Sequence, residues 1–94
     1  MFKELDPLLH SQLRLSIISL LMGVKSAAFT FILEKTGATK GNVSVQLKKL
    51  EEAGYIEIDK SFQDNYPLTT CRITKRGMAA FESYVDALKG YIRE

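Results

Sequence analysis

Ninety-four residues, 46% hydrophobic and 10% aromatic, fit one domain with its own core and exclude a disordered chain. Thirteen Lys and Arg against eleven Asp and Glu leave a net charge of only +2, so affinity for a polyanion has to come from where the charges sit. One cysteine, Cys71, and one histidine, His10, exclude a disulfide framework, a Cys/His metal site and a nucleophile–base pair; no cofactor, metal or enzymatic activity is expected.

Asp6-Pro7 reads as a helix start, because Asp caps and Pro is tolerated at the first helical position. The first helix then covers Leu8 to Met22 and ends at Gly23. Leu9, Leu13, Ile17 and Leu20 share one face, while Leu8, Leu15, Ile18 and Met22 lie opposite. A helix apolar nearly all round is buried on both sides. The second face meets either a second copy of the chain, the expectation here, or the chain's own remaining elements. The apolar run at 17–22 is far too short to span a bilayer, and the acidic start (Glu4, Asp6) lacks the basic flank of a signal peptide. No membrane partner is expected, and the cytoplasm is the default location.

Ser26 is placed to cap a second helix over 27–36, with Phe29, Ile32 and Leu33 facing inward. Phe31 points elsewhere, as either a partly covered aromatic or a contact residue. The helix breaks at Gly37-Ala38, Thr39 caps a third helix, and Val43, Leu47 and Leu50 give it a narrow inward stripe before Gly54 ends it. Two helices joined by a tight Gly-containing turn are the layout of a helix-turn-helix, whose second helix enters the DNA major groove.

Tyr55 to Phe62 alternates as a strand, Gln63 to Pro67 reads as a turn, and Leu68 to Ile73 as the returning strand, a hairpin where a winged helix keeps its wing. Thr74 caps a last helix over 75–92. Its stripe of Met78, Phe81, Val85, Leu88 and Ile92 is widened by Tyr84 and Tyr91, broad enough to suggest subunit pairing. The expected fold is α+β and mostly helical: a winged helix-turn-helix in a single domain over 1–94, with three helices, a two-stranded wing and a long C-terminal helix. Helices 8–22 and 75–92 are the expected dimerisation elements, through Leu8, Leu15, Ile18, Met22, Phe81, Tyr84, Val85, Leu88, Tyr91 and Ile92. His10 reads as a structural or interface residue.

With the Val43/Leu47/Leu50 stripe inward, Gly41, Ser44, Val45, Lys48 and Glu52 fall outward, with Asn42 and Lys49 on the flank. Thr39, Asn42 and Ser44 suit phosphate oxygens or base edges, and Gly41 lets the backbone N–H groups approach a phosphate. Val45 matches a thymine methyl, while Lys40, Lys48 and Lys49 neutralise phosphates. Blander roles stay open: a solvated face for Lys49, a brace within the turn for Asn42, an isolated surface apolar residue for Val45. The wing tip carries no basic side chain, so Lys60, Arg72, Lys75 and Arg76 around it are the expected phosphate contacts. Asn65 and Tyr66 are candidates for the minor groove, with surface packing as the alternative for Tyr66.

The run FTFILEKTGATKGNVSVQLKKLEEAGYIEI, then TTCRITKRGMAAFESYV, resembles small winged-helix transcription regulators of the MarR/ArsR type, known from bacteria and archaea, and LDPLLHSQLRLSIISLL resembles their first helix. The similarity covers nearly the whole chain. Its most specific pieces are Thr39 to Ser44, Leu47 to Tyr55 and Ile73 to Gly77. The resemblance implies a homodimer that binds a pseudo-palindromic operator in double-stranded DNA, with DNA-facing roles for Thr39, Lys40, Asn42, Ser44 and Val45. The chain departs from it in its neutral-to-acidic wing tip, where relatives carry Lys and Arg. A small-molecule effector is compatible but unidentified, and Cys71 has no resolving partner for a redox sensor. The expected function is sequence-specific transcriptional regulation, most simply repression; the alternative is a winged-helix protein-interaction module using the wing and Phe31.

Overall fold

Ser11, not Asp6, starts the first helix, α1 (Gln12–Met22), in the computed structural model, which describes residues 2–92. The outermost positions of the 1–94 assignment, 1 and 93–94, lie outside the described residues. The Ser11 hydroxyl accepts the Arg14 N–H at 3.5 Å. Asp6 caps a separate turn instead: its carboxylate accepts the Leu8 N–H at 2.9 Å and its carbonyl the His10 N–H at 2.9 Å. The span expected from Leu8 therefore loses its first turn. Ile17, Ile18 and Leu21 are the buried positions of α1, which packs on helices and sheet alike. Ile18 belongs to the chain's own core, which corrects its placement in a dimer contact. Leu8 and Leu15 are half-buried against the same core.

Ala27 and Ala28 leave the helix expected there and form a short strand, β1 (Ala27–Ala28). The second helix, α2 (Phe29–Thr36), begins two residues late, and its N-cap is Ala28 with no side-chain bond, so Ser26 does not cap it. The reason is the open edge of a later strand: pairing Ala27 with Cys71 and Ala28 with Thr70 satisfies backbone groups that a helix start would leave free. Ile32 is buried, and Phe29, Phe31 and Leu33 pack half-buried around it. Gly37, at φ 69°, turns the chain in the left-handed region, its N–H bonded to the Leu33 carbonyl at 2.9 Å.

The third helix, α3 (Lys40–Glu52), is as the sequence reads. Thr39 Oγ1 accepts the Asn42 N–H at 3.1 Å, and Val43, Leu47 and Leu50 are buried. Its end is a Schellman motif: the Tyr55 N–H reaches the Leu50 carbonyl at 3.0 Å and the Gly54 N–H the Glu51 carbonyl at 2.9 Å, with Gly54 at φ 81°.

The hairpin of β2 (Ile56–Gln63) and β3 (Tyr66–Ile73) is longer and its tip tighter than expected. Asp64 and Asn65 alone make the turn, both at positive φ (51° and 68°), the pattern of a two-residue type I′ loop. The sheet order is β1-β3-β2, all antiparallel, so a third strand joins the expected two. The last helix, α4 (Lys75–Ile92), is capped by Thr74, whose Oγ1 accepts the Gly77 N–H at 3.0 Å. Its buried face is Gly77, Tyr84 and Ala87, with Ala80, Phe81 and Leu88 half-buried beside them. Tyr84 lies inside the chain's own core and not at the partner contact that the stripe suggests. Its ring is in the core, and its hydroxyl lies 3.0 Å from His10 Nδ1.

Burial pushes the Cys71 thiol up to about 11, with the Glu51 charge adding to it, which keeps the sulfur in its unreactive neutral form. Burial and the hydrogen bond that Tyr55 Oη donates to Asp6 Oδ2 at 2.5 Å push Tyr55 up to about 12. Both groups hold their protons to higher pH folded than at their ordinary values of 9.0 and 10.0. Within those windows the unfolded chain binds fewer protons, so stability falls as pH rises. Melting temperature is expected to decline between about pH 9 and 12, as each group loses its proton in the unfolded chain before it does in the folded one. In thermal melts followed by circular dichroism, Cys71→Ala should remove the first part of that decline. An unchanged slope would show that the thiol is not its source.

Candidate nucleic-acid interface

The first turn of α3 is free of the core. Thr39, Lys40, Gly41, Asn42, Ser44, Val45, Lys48 and Lys49 are all exposed, Val45 at 52%. They divide by side. Ser44 and Lys48 line a cleft of about 600 Å³ between α3 and the inner face of the wing, which Ile58, Lys60 and Thr69 close. Gly41 and Val45 lie along the crest by the 100° step of the helix, and Asn42 and Lys49 fall on the opposite flank. Lys48 Nζ stands 3.9 Å from Glu51 Oε1, an exposed pair that leaves the ammonium available to a phosphate.

Strand parity sorts the wing residues. Lys60 pairs with Thr69 and Phe62 with Pro67, on the face that carries Ile56, Ile58 and Cys71 toward the body. Lys60 therefore shares the cleft with Lys48. Phe62, a residue sequence reading passed over, extends that face to the tip at 77% exposure. Its signal was the same parity, Ile56-Ile58-Lys60-Phe62, carried two residues further. Tyr66 is 75% exposed and pairs with Gln63 on the outer face, beside Asn65 in the turn.

The other three basic side chains do not gather there. Arg72 lies opposite Glu57 on the outer face, and its Nε and Nη2 both donate to Glu57 Oε1, the first at 2.8 Å. A cross-strand partner holds it on the outer face, away from Lys48 and Lys60 in the cleft. The Arg76 side chain runs beside Gly54, at the far end of α3 from Thr39, roughly 20 Å away at 1.5 Å per residue. Lys75 is exposed in the same first turn of α4. Both belong to the wing's base.

Asn42 takes part in a chain of side-chain bonds that reaches beyond its own helix. Gln46 Nε2 donates to Asn42 Oδ1 at 3.0 Å, Arg14 Nη1 donates to Gln46 Oε1 at 2.5 Å, and Arg14 Nε donates to the Leu8 carbonyl at 2.6 Å. Only the one-turn spacing of Asn42 and Gln46 is visible locally; Arg14 is 32 residues away.

On the other side of the molecule, Met22, Phe81 and Val85 line a groove of about 300 Å³ between the end of α1 and α4. Ile92 is 73% exposed beyond it, and the Tyr91 ring stacks on Phe2, with its hydroxyl donating to the Lys3 carbonyl at 2.8 Å. Among the described residues no helix is long and apolar enough to cross a membrane.

A family model described as a winged helix DNA-binding domain matches residues 13–92. An uncharacterized protein of Methanocaldococcus jannaschii is 38% identical over 76 residues, 81% of this chain and 83% of that one. A transcriptional regulator homologue from Pyrococcus horikoshii superposes with a TM-score of 0.84 at 29% identity, over 90% of this chain and 84% of its own. The fold alone is shared with PadR of Bacillus subtilis, solved in complex with operator DNA (TM-score 0.72, 18% identity, 89% of this chain and 49% of that one). The same holds for MarR of Escherichia coli (TM-score 0.72, 15% identity, 86% and 59%).

Proposed function

We propose that this chain, which belongs to the winged helix DNA-binding domain family, is a sequence-specific regulator of transcription that binds double-stranded DNA as a homodimer. The observation that carries the reading is the free start of α3. Short polar side chains, a glycine and Val45 stand exposed on a helix whose inner stripe is fully used by the core. A protein-binding surface has no need of that combination beside two lysines lining one cleft, whereas base edges and phosphates call for it. Repression by covering a promoter is the simplest output.

Pairing is assigned to the groove at Met22, Phe81 and Val85, continued by Tyr91 and Ile92, with the half-buried Leu8, Leu15 and Leu88 as further candidates. A dimer through that side presents two α3 helices, and half-sites one turn of DNA apart, about 34 Å, match them. Selection from a random double-stranded DNA library with the purified chain is expected to recover an inverted repeat of that spacing. Sedimentation should give twice the chain mass. Lys48→Ala should weaken binding to every sequence alike and flatten the salt dependence by about one unit of slope. Library selection without enrichment would overturn the reading.

The wing tip favours a second reading. Phe62 and Tyr66 are exposed aromatics on a tip without a basic side chain, a surface suited to protein contact. Under it the same selection returns nothing, and binding of scrambled duplex stays weak.

A further inference from the structure

We infer that Arg14 is a positioning residue: acting through Gln46, it fixes the hydrogen-bonding polarity of Asn42, so that α3 offers the major groove a donor at that position. The inference rests on the reading of α3 as the element that meets base edges. An amide side chain fits its site in two orientations that differ only in which end donates. Here the ambiguity is removed from one end. A guanidinium has donors and no acceptor, so the Gln46 atom that faces Arg14 Nη1 has to be Oε1. That leaves Nε2 facing Asn42, and because an NH₂ group only donates, the Asn42 atom it meets has to be Oδ1. That leaves the Asn42 Nδ2 group as the end of an exposed side chain that this pair does not use. Turning over either amide would set donor against donor. The far end of the relay is also anchored, since Arg14 Nε is bound to the Leu8 carbonyl at 2.6 Å and the guanidinium is not free to follow a flipped Gln46.

The consequence is a chemical class of target. Guanine presents N7 and O6 acceptors in the major groove, thymine its O4 and adenine its N7, whereas cytosine presents only a donor there. Adenine carries the N6 donor beside its N7 acceptor, so it can meet either end of the amide and does not report the orientation. Asn42 is therefore a reader of an acceptor edge, against cytosine, and Arg14, half-buried behind Gln46, sets that preference.

The test uses the full chain and the duplex recovered from a random double-stranded library, with its base pairs replaced one at a time. Asn42→Ala identifies the position that Asn42 reads, as the one where discrimination disappears. At that position the unaltered chain should discriminate against cytosine by about tenfold relative to guanine or thymine. Gln46→Glu keeps an acceptor for Arg14 but has no donor, so Asn42 must turn its Nδ2 inward and present Oδ1. The preference should cross over from guanine or thymine to cytosine at that position only, whatever uniform loss the added charge brings. Arg14→Met should bring the same ratio toward one and leave the other positions unchanged, with melting temperatures reported for each variant. The ratio, rather than affinity or stability, is the readout that a merely structural Arg14 would not move. Should Gln46→Glu fail to fold, Arg14→Met decides alone. If the unaltered chain selects a sequence but neither variant alters the ratio at the Asn42 position, the relay is overturned. If Asn42→Ala changes no position, Asn42 is not a reader and the inference falls while operator binding stands. A chain that selects no sequence overturns the parent reading, and the relay's part in recognition with it.

Discussion

Gly77→Ala is expected to remove about 3 kcal/mol or more of stability, the upper range for forcing atoms into a filled site. A Cβ at Gly77 would lie 2.2 Å from the Tyr55 carbonyl oxygen and 2.8 Å from Ile73 Cγ1. Neither neighbour gives way easily. The carbonyl also accepts the Thr74 N–H at 3.0 Å, and Thr74 Oγ1 both donates to the Gly54 carbonyl at 2.6 Å and caps α4 through Gly77 itself. The end of α3, the start of β2 and the start of α4 meet at this one joint. Helix propensity argues the other way, favouring Ala over Gly by ~1 kcal/mol, and the contact distances decide against it. Melting should fall by roughly 12–24 °C for a domain of this size. Gly90→Ala, where nothing lies within 4 Å, should be neutral or stabilising. A Gly77→Ala chain that melts with the parent would mean that α4 is free to slide off the Tyr55 carbonyl, and that the joint is looser than these distances state.

That joint also shows what a sequence can and cannot disclose. Gly54, Thr39 and Thr74 are legible because capping is local: the residue that caps and the backbone it satisfies are within a turn of each other. The inward stripe of α3 is legible for the same reason, since Val43, Leu47 and Leu50 fix a face by spacing alone. Gly77 is visible as part of a motif, but its reason is a carbonyl 22 residues earlier, and no spacing rule contains it.

The misreadings share that cause. On α1 and α4, periodicity separates faces without saying which one the rest of the chain covers, so Ile18 and Tyr84 were placed outside and are inside. Ala27-Ala28 has no strand pattern of its own, and the edge of β3 makes it a strand. Asp6-Pro7 carries a sound capping signal that closes a turn one step before the helix. Among the site residues, exposure at the start of α3 followed from the stripe. The pairing of Arg72 with Glu57 depended on a hairpin register set by the two-residue Asp64-Asn65 turn. The bond between Arg14 and Gln46 joins helices that only the finished fold brings together.

Gly41→Glu should move stability and DNA binding in opposite directions, and by large amounts in the second case. Gly41 is the second residue of α3, exposed, with nothing within 4 Å of the Cβ it lacks, so any side chain is accommodated without rearrangement. Replacing Gly there returns most of its ~1 kcal/mol helix penalty, and a carboxylate in the first turn gains a further ~0.3–1 kcal/mol from the positive end of the helix dipole. The folded chain should therefore melt several degrees higher, by roughly 4–8 °C per kcal/mol. Against DNA the same carboxylate would stand where the N–H groups of the helix start are to meet phosphate. A like-charge contact of that kind costs several kcal/mol, so affinity for the selected duplex should drop on the order of a hundredfold or more. Gly41→Ala separates the two causes. Its methyl group adds the helix preference without the charge, so it should raise the melting temperature and weaken binding only as far as crowding does. Fluorescence anisotropy at two salt concentrations distinguishes them further, because the loss in the Glu variant should shrink as salt screens the repulsion and the loss in the Ala variant should not. If both variants are more stable and bind with the parent's affinity, the start of α3 lies outside the contact, and the DNA-facing surface has to be sought along the wing.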